Sequence, residues 1–246
     1  MVSRFLGLIL FSFIMMGNLA GPLATRGAAE GRSPRAIIVF GGSGQLGSEV
    51  VRALHAAGHE VTVFVRPSSQ LDRIAGLSVG VVQGDATLEV DVDRALAARR
   101  YDVVVDALGR SGADVEFFAT TGRIIARQAR AHGVGHLILH SSVGVGRSAA
   151  VFPADRLASM QRLFEAKKVG EDAAMASGVE YTIIRNAVLR EPLTSGQERP
   201  RLVADESAWG TVTRRGLAQL TLECIDAPAC RNRIFHAVDD ELPVIR

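Results

Sequence analysis

The sequence predicts a single doubly wound α/β domain built on a parallel sheet. Three observations carry that expectation: short β-branched runs alternate with longer helical stretches, most of the runs are apolar throughout, and several helical stretches close on a glycine. Strands that are apolar on both faces belong inside a sheet covered by helices on either side. Length and composition allow it. A chain of 246 residues, 48% hydrophobic and 22% charged, is ordinary globular chemistry and excludes a disordered, collagenous or disulfide-dense protein.

Residues 1–32 are read as a segment separate from the domain, which takes 33–246. No charge stands between Arg4 and Arg26, and positions 5–16 read FLGLILFSFIMM, an apolar stretch of signal-peptide length that extends to about residue 24. Small residues at Ala20, Ala24, Gly27, Ala28 and Ala29 offer cleavage points for export. The Arg26, Arg32 and Arg35 cluster favours instead a membrane anchor with the body facing the cytoplasm, and a start at Met15 or Met16 is the third alternative. The first 35 residues hold four arginines against Glu30, so the remainder keeps 24 basic and 25 acidic side chains. The pI near 8.8 therefore comes largely from this segment, and nothing in the body resembles a nucleic-acid surface.

Strands are expected at 36–40, 61–65, 79–83, 102–107, 136–140, 181–185 and 233–238. Helices are expected between them at 46–57, 90–99, 115–132, 155–176 and 214–225, with Gly58, Gly133 and Gly178 as stops. Two long irregular stretches, 142–153 and 187–212, follow strands and are expected to form a small C-terminal substrate lobe. Cys224 and Cys230 lie six apart; in an exported protein they could pair across a helix end, whereas the favoured reading leaves them as unpaired, buried thiols. His132, His136 and His140 straddle a helix end, a turn and a strand, so no metal site is expected.

Between the first strand and first helix stands Phe40-Gly41-Gly42-Ser43-Gly44-Gln45-Leu46-Gly47. Glycines at 41, 44 and 47 permit a tight turn, a close approach of backbone N–H groups to a pyrophosphate, and packing of helix on strand. That placement predicts a Rossmann dinucleotide site. After the second strand the chain reads Val-Arg66-Pro-Ser68-Ser69, with a guanidinium where an NAD enzyme usually carries a carboxylate. Arg66 can pair with a 2′-phosphate, so NADP is the expected cofactor.

GGSGQLG, VRPSS, QGDAT, DALG, HSSVG and EAKKVGEDAAMASGVEYTIIR, each at its place after successive strands, resemble the atypical short-chain dehydrogenase/reductase proteins. The similarity is to their NAD(P)H-binding group, with NmrA-like regulators and flavin/biliverdin reductase-type enzymes. It implies that Gly41, Ser43, Gly44, Gln45, Leu46 and Gly47 follow the pyrophosphate, that Asp85 meets the adenine edge, and that Ala107, Leu108 and Gly109 line the adenosine side. Arg185 closes the sixth strand where the group commonly has Arg-Pro, although Asn186 follows here. Its guanidinium would face the nicotinamide cleft or bridge to an acid.

Full dehydrogenases of this superfamily pair a serine after the fifth strand with Tyr-x-x-x-Lys on the next helix. Ser142 and Lys167 match the serine and lysine, yet Leu163 stands where the tyrosine belongs, and Tyr101 and Tyr181 lie elsewhere. The implied function is NADPH-dependent hydride transfer to a small organic substrate without the phenol. The alternative is a non-catalytic NADP-binding sensor or assembly protein of the same fold.

Overall fold

The computed structural model describes residues 33–109, 114–193 and 196–245. The apolar segment at 5–24 lies outside them. Pro34–Arg246 forms one compact unit.

An eight-stranded sheet organises that unit. In chain order its elements are β1 (Ala36–Phe40), α1 (Gln45–Ala56), β2 (Glu60–Val65), β3 (Gly80–Gln83), α2 (Glu89–Ala97), β4 (Val103–Asp106), α3 (Glu116–Ala131), β5 (His136–Ser142), α4 (Ala154–Ala176) and β6 (Glu180–Asn186). There follow β7 (Val188–Arg190), β8 (Pro200–Val203), β9 (Thr211–Thr213), α5 (Arg214–Asp226) and β10 (Arg233–Asp239). The spatial order is β3-β2-β1-β4-β5-β6-β10-β8. The chain winds outward from β1 in one direction and then outward from β4 in the other, so the switch point lies between β1 and β4, where a ligand crevice forms at the strand C-termini.

Period-two alternation explains how the sheet holds two cores. Ile37 and Val39 of β1 join Val50, Val51 and Leu54 of α1 and Leu217 and Leu220 of α5 on one face. Ile38 and Phe40 face the other way, onto Val92 and Leu96 of α2 and Ile124 and Ile125 of α3. Edge strand β3 departs from the fully apolar expectation, with Val81 45% exposed, because only one side of it is paired.

Three corrections concern the second half of the chain. The stretch 187–212 is not wholly irregular: β8 pairs antiparallel with β10, so the sheet is not wholly parallel, and β7 pairs with β9 in a two-stranded parallel ribbon. A 3-10 turn, Gly146–Val151, orders the loop after β5. Cys224 and Cys230 form a disulfide, with Cα atoms 5.5 Å apart, which overturns the unpaired reading. Their spacing across the end of α5 is what brings the two thiols together.

Candidate functional site

The crevice opens at the β1–α1 loop. Gly41 has φ +79°, donates its N–H to the Phe64 carbonyl and accepts from the Gly44 N–H at 2.9 Å. A Cβ on Gly47 would stand 2.1 Å from the Gly41 carbonyl oxygen, and one on Gly41 would stand 2.8 Å from that of Ala107. No side-chain carbon fits at either place. α1 then begins with no side-chain cap and no acid in its first turn, with Gly44 and Gln45 exposed and Ser43 and Leu46 half-buried. Its first-turn N–H groups and the positive end of its dipole face the crevice, which suits a pyrophosphate.

Arg66, just past β2, is exposed, and among the described residues its guanidinium has no partner. Ser69 donates its N–H to the Arg66 carbonyl, closing a turn that presents Ser68 to solvent. Asp85 is half-buried and spends Oδ1 on the Thr87 N–H and hydroxyl, at 2.9 and 2.7 Å, while its own N–H donates to Asp91. It is thus a turn-forming residue at the entrance to α2. Buried Ala107, half-buried Leu108 and exposed Gly109 form the opposite wall beyond β4.

Lys167 stands on α4 with Nζ 4.6 Å over the centre of the Phe118 ring from α3. It accompanies Asp106, Thr121, His140 and Ser141 around a recess under the β4 and β5 ends. Burial lowers the Lys167 pKa, opposed by the charges of Asp106 and Glu171. Among the described residues its ammonium has no hydrogen-bond acceptor, so it is available to ligand hydroxyls. Half-buried Leu163 sits one helical turn before it.

Strand alternation separates the two serines. Ser141 is buried, lines the recess with Lys167 and among the described residues leaves Oγ without a partner, whereas Ser142 is half-buried and is not among the residues around that recess. Asp106, also buried, accepts the Leu108 N–H at 3.0 Å, and burial pushes its pKa up to about 6 against that hydrogen bond and the Lys167 charge. His140 is pushed down to about 4 by burial and then by Lys167. Sequence reasoning missed Asp106 and His140 as members of this recess, and of the adjacent serines Ser141 and Ser142 it chose Ser142. The available signal was a polar residue at the end of an otherwise apolar strand, as in VVVD.

Arg185 takes the second of its two expected roles, bridging to acids. Its guanidinium grips buried Glu171 through Nε and Nη2, at 3.0 and 2.6 Å, and Glu206 through Nη1 at 2.7 Å. Each guanidinium nitrogen thus has one carboxylate oxygen as partner. Glu206 also binds Arg147, so one carboxylate ties the loop after β8 to the loop after β5.

Switch point and glycine loop together define a Rossmann-type protein built to hold a dinucleotide. Residues 41–228 match the model of the NAD(P)H-binding family, and the chain belongs to that family. It is 27% identical over 216 residues to the chloroplastic protein TIC 62 of Oryza sativa subsp. japonica, covering 77% of this chain but only 42% of that relative. Isoflavone reductase homolog P3 of Arabidopsis thaliana is 25% identical over 215 residues, covering 81% of this chain and 67% of that one. Among solved structures, ChuY of Escherichia coli O157:H7, described as an anaerobillin reductase, superposes with a TM-score of 0.74 at 22% identity. The match covers 85% of this chain and all of ChuY. A Veillonella parvula short-chain dehydrogenase/reductase in complex with NADP superposes at 0.67 with 15% identity, over 84% and 95% of the two chains.

Proposed function

We propose that the protein is an NADPH-dependent oxidoreductase that reduces a small organic acceptor without a catalytic phenol. The observation that carries this reading is Lys167, held half-buried on Phe118 beside the β4 and β5 ends and, among the described residues, with no hydrogen-bond acceptor of its own. Gly41, Ser43, Gly44, Gln45, Leu46 and Gly47 would take the pyrophosphate on the bare N-terminus of α1, and Arg66 the 2′-phosphate. Asp85 would meet the adenine, Ala107, Leu108 and Gly109 would wall the adenosine half, and Lys167 would orient the nicotinamide ribose. Ser142, half-buried at the end of β5, would donate to the reacting group. When bound, NADPH would supply a hydride equivalent. Half-buried Phe152 and Trp209, with ring centres 5.4 Å apart on the loops after β5 and β8, favour a planar, apolar acceptor. Reductases among the relatives support the same class.

The test begins with cofactor choice. NADPH should bind about ten- to a hundredfold more tightly than NADH, roughly 1–3 kcal/mol, and Arg66→Ala should erase most of that margin. Equal dissociation constants in the parent would overturn the NADP assignment. Turnover is then sought with flavins, quinones and α,β-unsaturated carbonyls by following nicotinamide absorbance. Leu163 in the phenol position favours a second reading, an NADP-binding regulator or assembly protein. Tight NADPH binding with no consumption by any acceptor would decide for it.

A further inference from the structure

Below the crevice, where α3 crosses α4, lies a cavity of about 20 Å³ lined by Asp106, Thr121, His140, Ser141 and Lys167 among apolar walls. About 10–15 Å³ is enough for one water, provided that two to four polar groups meet it. The donors and acceptors here can be counted. Thr121 spends its hydroxyl on the Phe117 carbonyl and is satisfied. The Thr221 hydroxyl donates to the Leu217 carbonyl at 2.7 Å, so the His140 Nε2–H donates to Thr221 at 3.1 Å. His140 is therefore protonated on Nε2, and its buried Nδ1 is an acceptor without a donor. Asp106 commits Oδ1 to Leu108, and its Oδ2 has no hydrogen-bond partner among the described residues. Ser141 Oγ–H and the Lys167 ammonium are two donors without acceptors. With Asp106 ionised, two acceptors and two donors are the complement of one water molecule; with Asp106 protonated its carboxyl becomes a donor, and the Ser141 oxygen, which can also accept, keeps the four places of the water matched.

We propose that this cavity holds one ordered water, and that Asp106 delivers a proton through it to the acceptor in place of the absent phenol. The proposal rests on the reductase reading above. As the acceptor gains negative charge, its oxygen or carbon takes a proton from the water, and the water takes one from the Asp106 carboxyl. One O–H bond breaks on Asp106 and one X–H bond forms on the acceptor. The carboxylate left behind faces the Lys167 ammonium and is reprotonated from solvent. Asp106 is suited to this because burial raises its pKa to about 6, so a useful fraction remains protonated near neutral pH. The groups facing it are Lys167 from α4, with Glu171 one turn on, and neutral His140 and Ser141 from β5. Among the described residues α3 presents Phe118, Thr121 and Gly122 there, and β1 its sheet partner Phe40.

Three measurements on the full chain decide it. In a carbon-13 carboxyl titration, one aspartate should titrate near pH 6, and that resonance should vanish in Asp106→Asn, which keeps the side-chain shape. A crystal structure of the parent should show a water within hydrogen-bond distance of Asp106 and His140 Nδ1. With any acceptor that consumes NADPH, kcat/KM should fall about tenfold per pH unit above 6. Asp106→Asn should lose that break and at least tenfold in rate at pH 6, with its NADPH dissociation constant within twofold of the parent's. Asp106 titrating below 4.5, a dry cavity or an unchanged pH profile would each overturn the proposal. If the parent binds NADPH but consumes it with no acceptor, the reductase reading falls, whereas the titration and the water still decide the proton site.

Discussion

At the scale of single residues, Arg185 and Glu171 show a charged pair whose value depends on burial. Both side chains are almost fully enclosed, joined by two parallel hydrogen bonds, whereas Glu206 on the third nitrogen is 20% exposed. Glu171→Ala strands a guanidinium in the interior and should cost about 3–5 kcal/mol. Glu206→Ala leaves it with Glu171 still in place, and water can reach the vacated position; about 1 kcal/mol is expected. Urea unfolding of both variants checks the order, and equal losses would refute it. Arg185 was legible in the sequence as a candidate, but its partners were not. Glu171 lies fourteen residues before it on a helix and Glu206 twenty-one after it on a loop, and no spacing rule connects such positions. Asp106 and Ser141 were hidden for a related reason: a strand-end polar residue reads as a cap until the helix across the sheet supplies a lysine.

At the scale of elements, the site depends on how closely α3 lies on α4. Gly122 and Gly170 are the contact, and a Cβ on Gly122 would stand 2.5 Å from the Gly170 Cα. That backbone cannot swing aside as a long side chain could. Gly122→Ala should therefore push the helices apart, cost about 1–3 kcal/mol, and shift Lys167 and Phe118 enough to weaken NADPH binding. Thermal unfolding together with cofactor titration measures both; a variant with parental stability would show that the crossing tolerates a methyl. The five helices and seven principal strands were legible because each carries its own apolar period. The strands at Val188–Arg190, Pro200–Val203 and Thr211–Thr213 were not, since three or four residues hold too little pattern. The pairing of β8 is decided by the edge that β10 leaves open, which is a property of the assembled sheet, while β7 and β9 find each other in a separate ribbon.

For the whole molecule, the buried histidines set the response to acid. His136 hydrogen-bonds Thr182, whose hydroxyl donates to the Cys230 carbonyl, so it too is neutral with the proton on Nε2. Burial depresses His136 to about 3 and His140 to about 4, far below their unfolded values. A depressed pKa gives stability that is complete above about pH 6.5 and is lost as pH falls toward the folded value, because the unfolded chain takes up the protons. At pH 5 the two histidines together withdraw roughly 4 kcal/mol relative to pH 7. Asp106 acts in the opposite sense: its raised pKa means the folded state binds the proton more tightly between about 4 and 6, returning about 1 kcal/mol over the same interval. The net loss of about 2–3 kcal/mol should lower Tm by roughly 5–10 °C between pH 7 and pH 5. His136→Asn should remove about half of the histidine contribution, whatever its effect on absolute stability. A Tm that is flat or rising from pH 7 to pH 5 would mean that these imidazoles accept protons inside the fold, and the neutral Nδ1 acceptor in the cavity beneath Lys167 would then be lost with them.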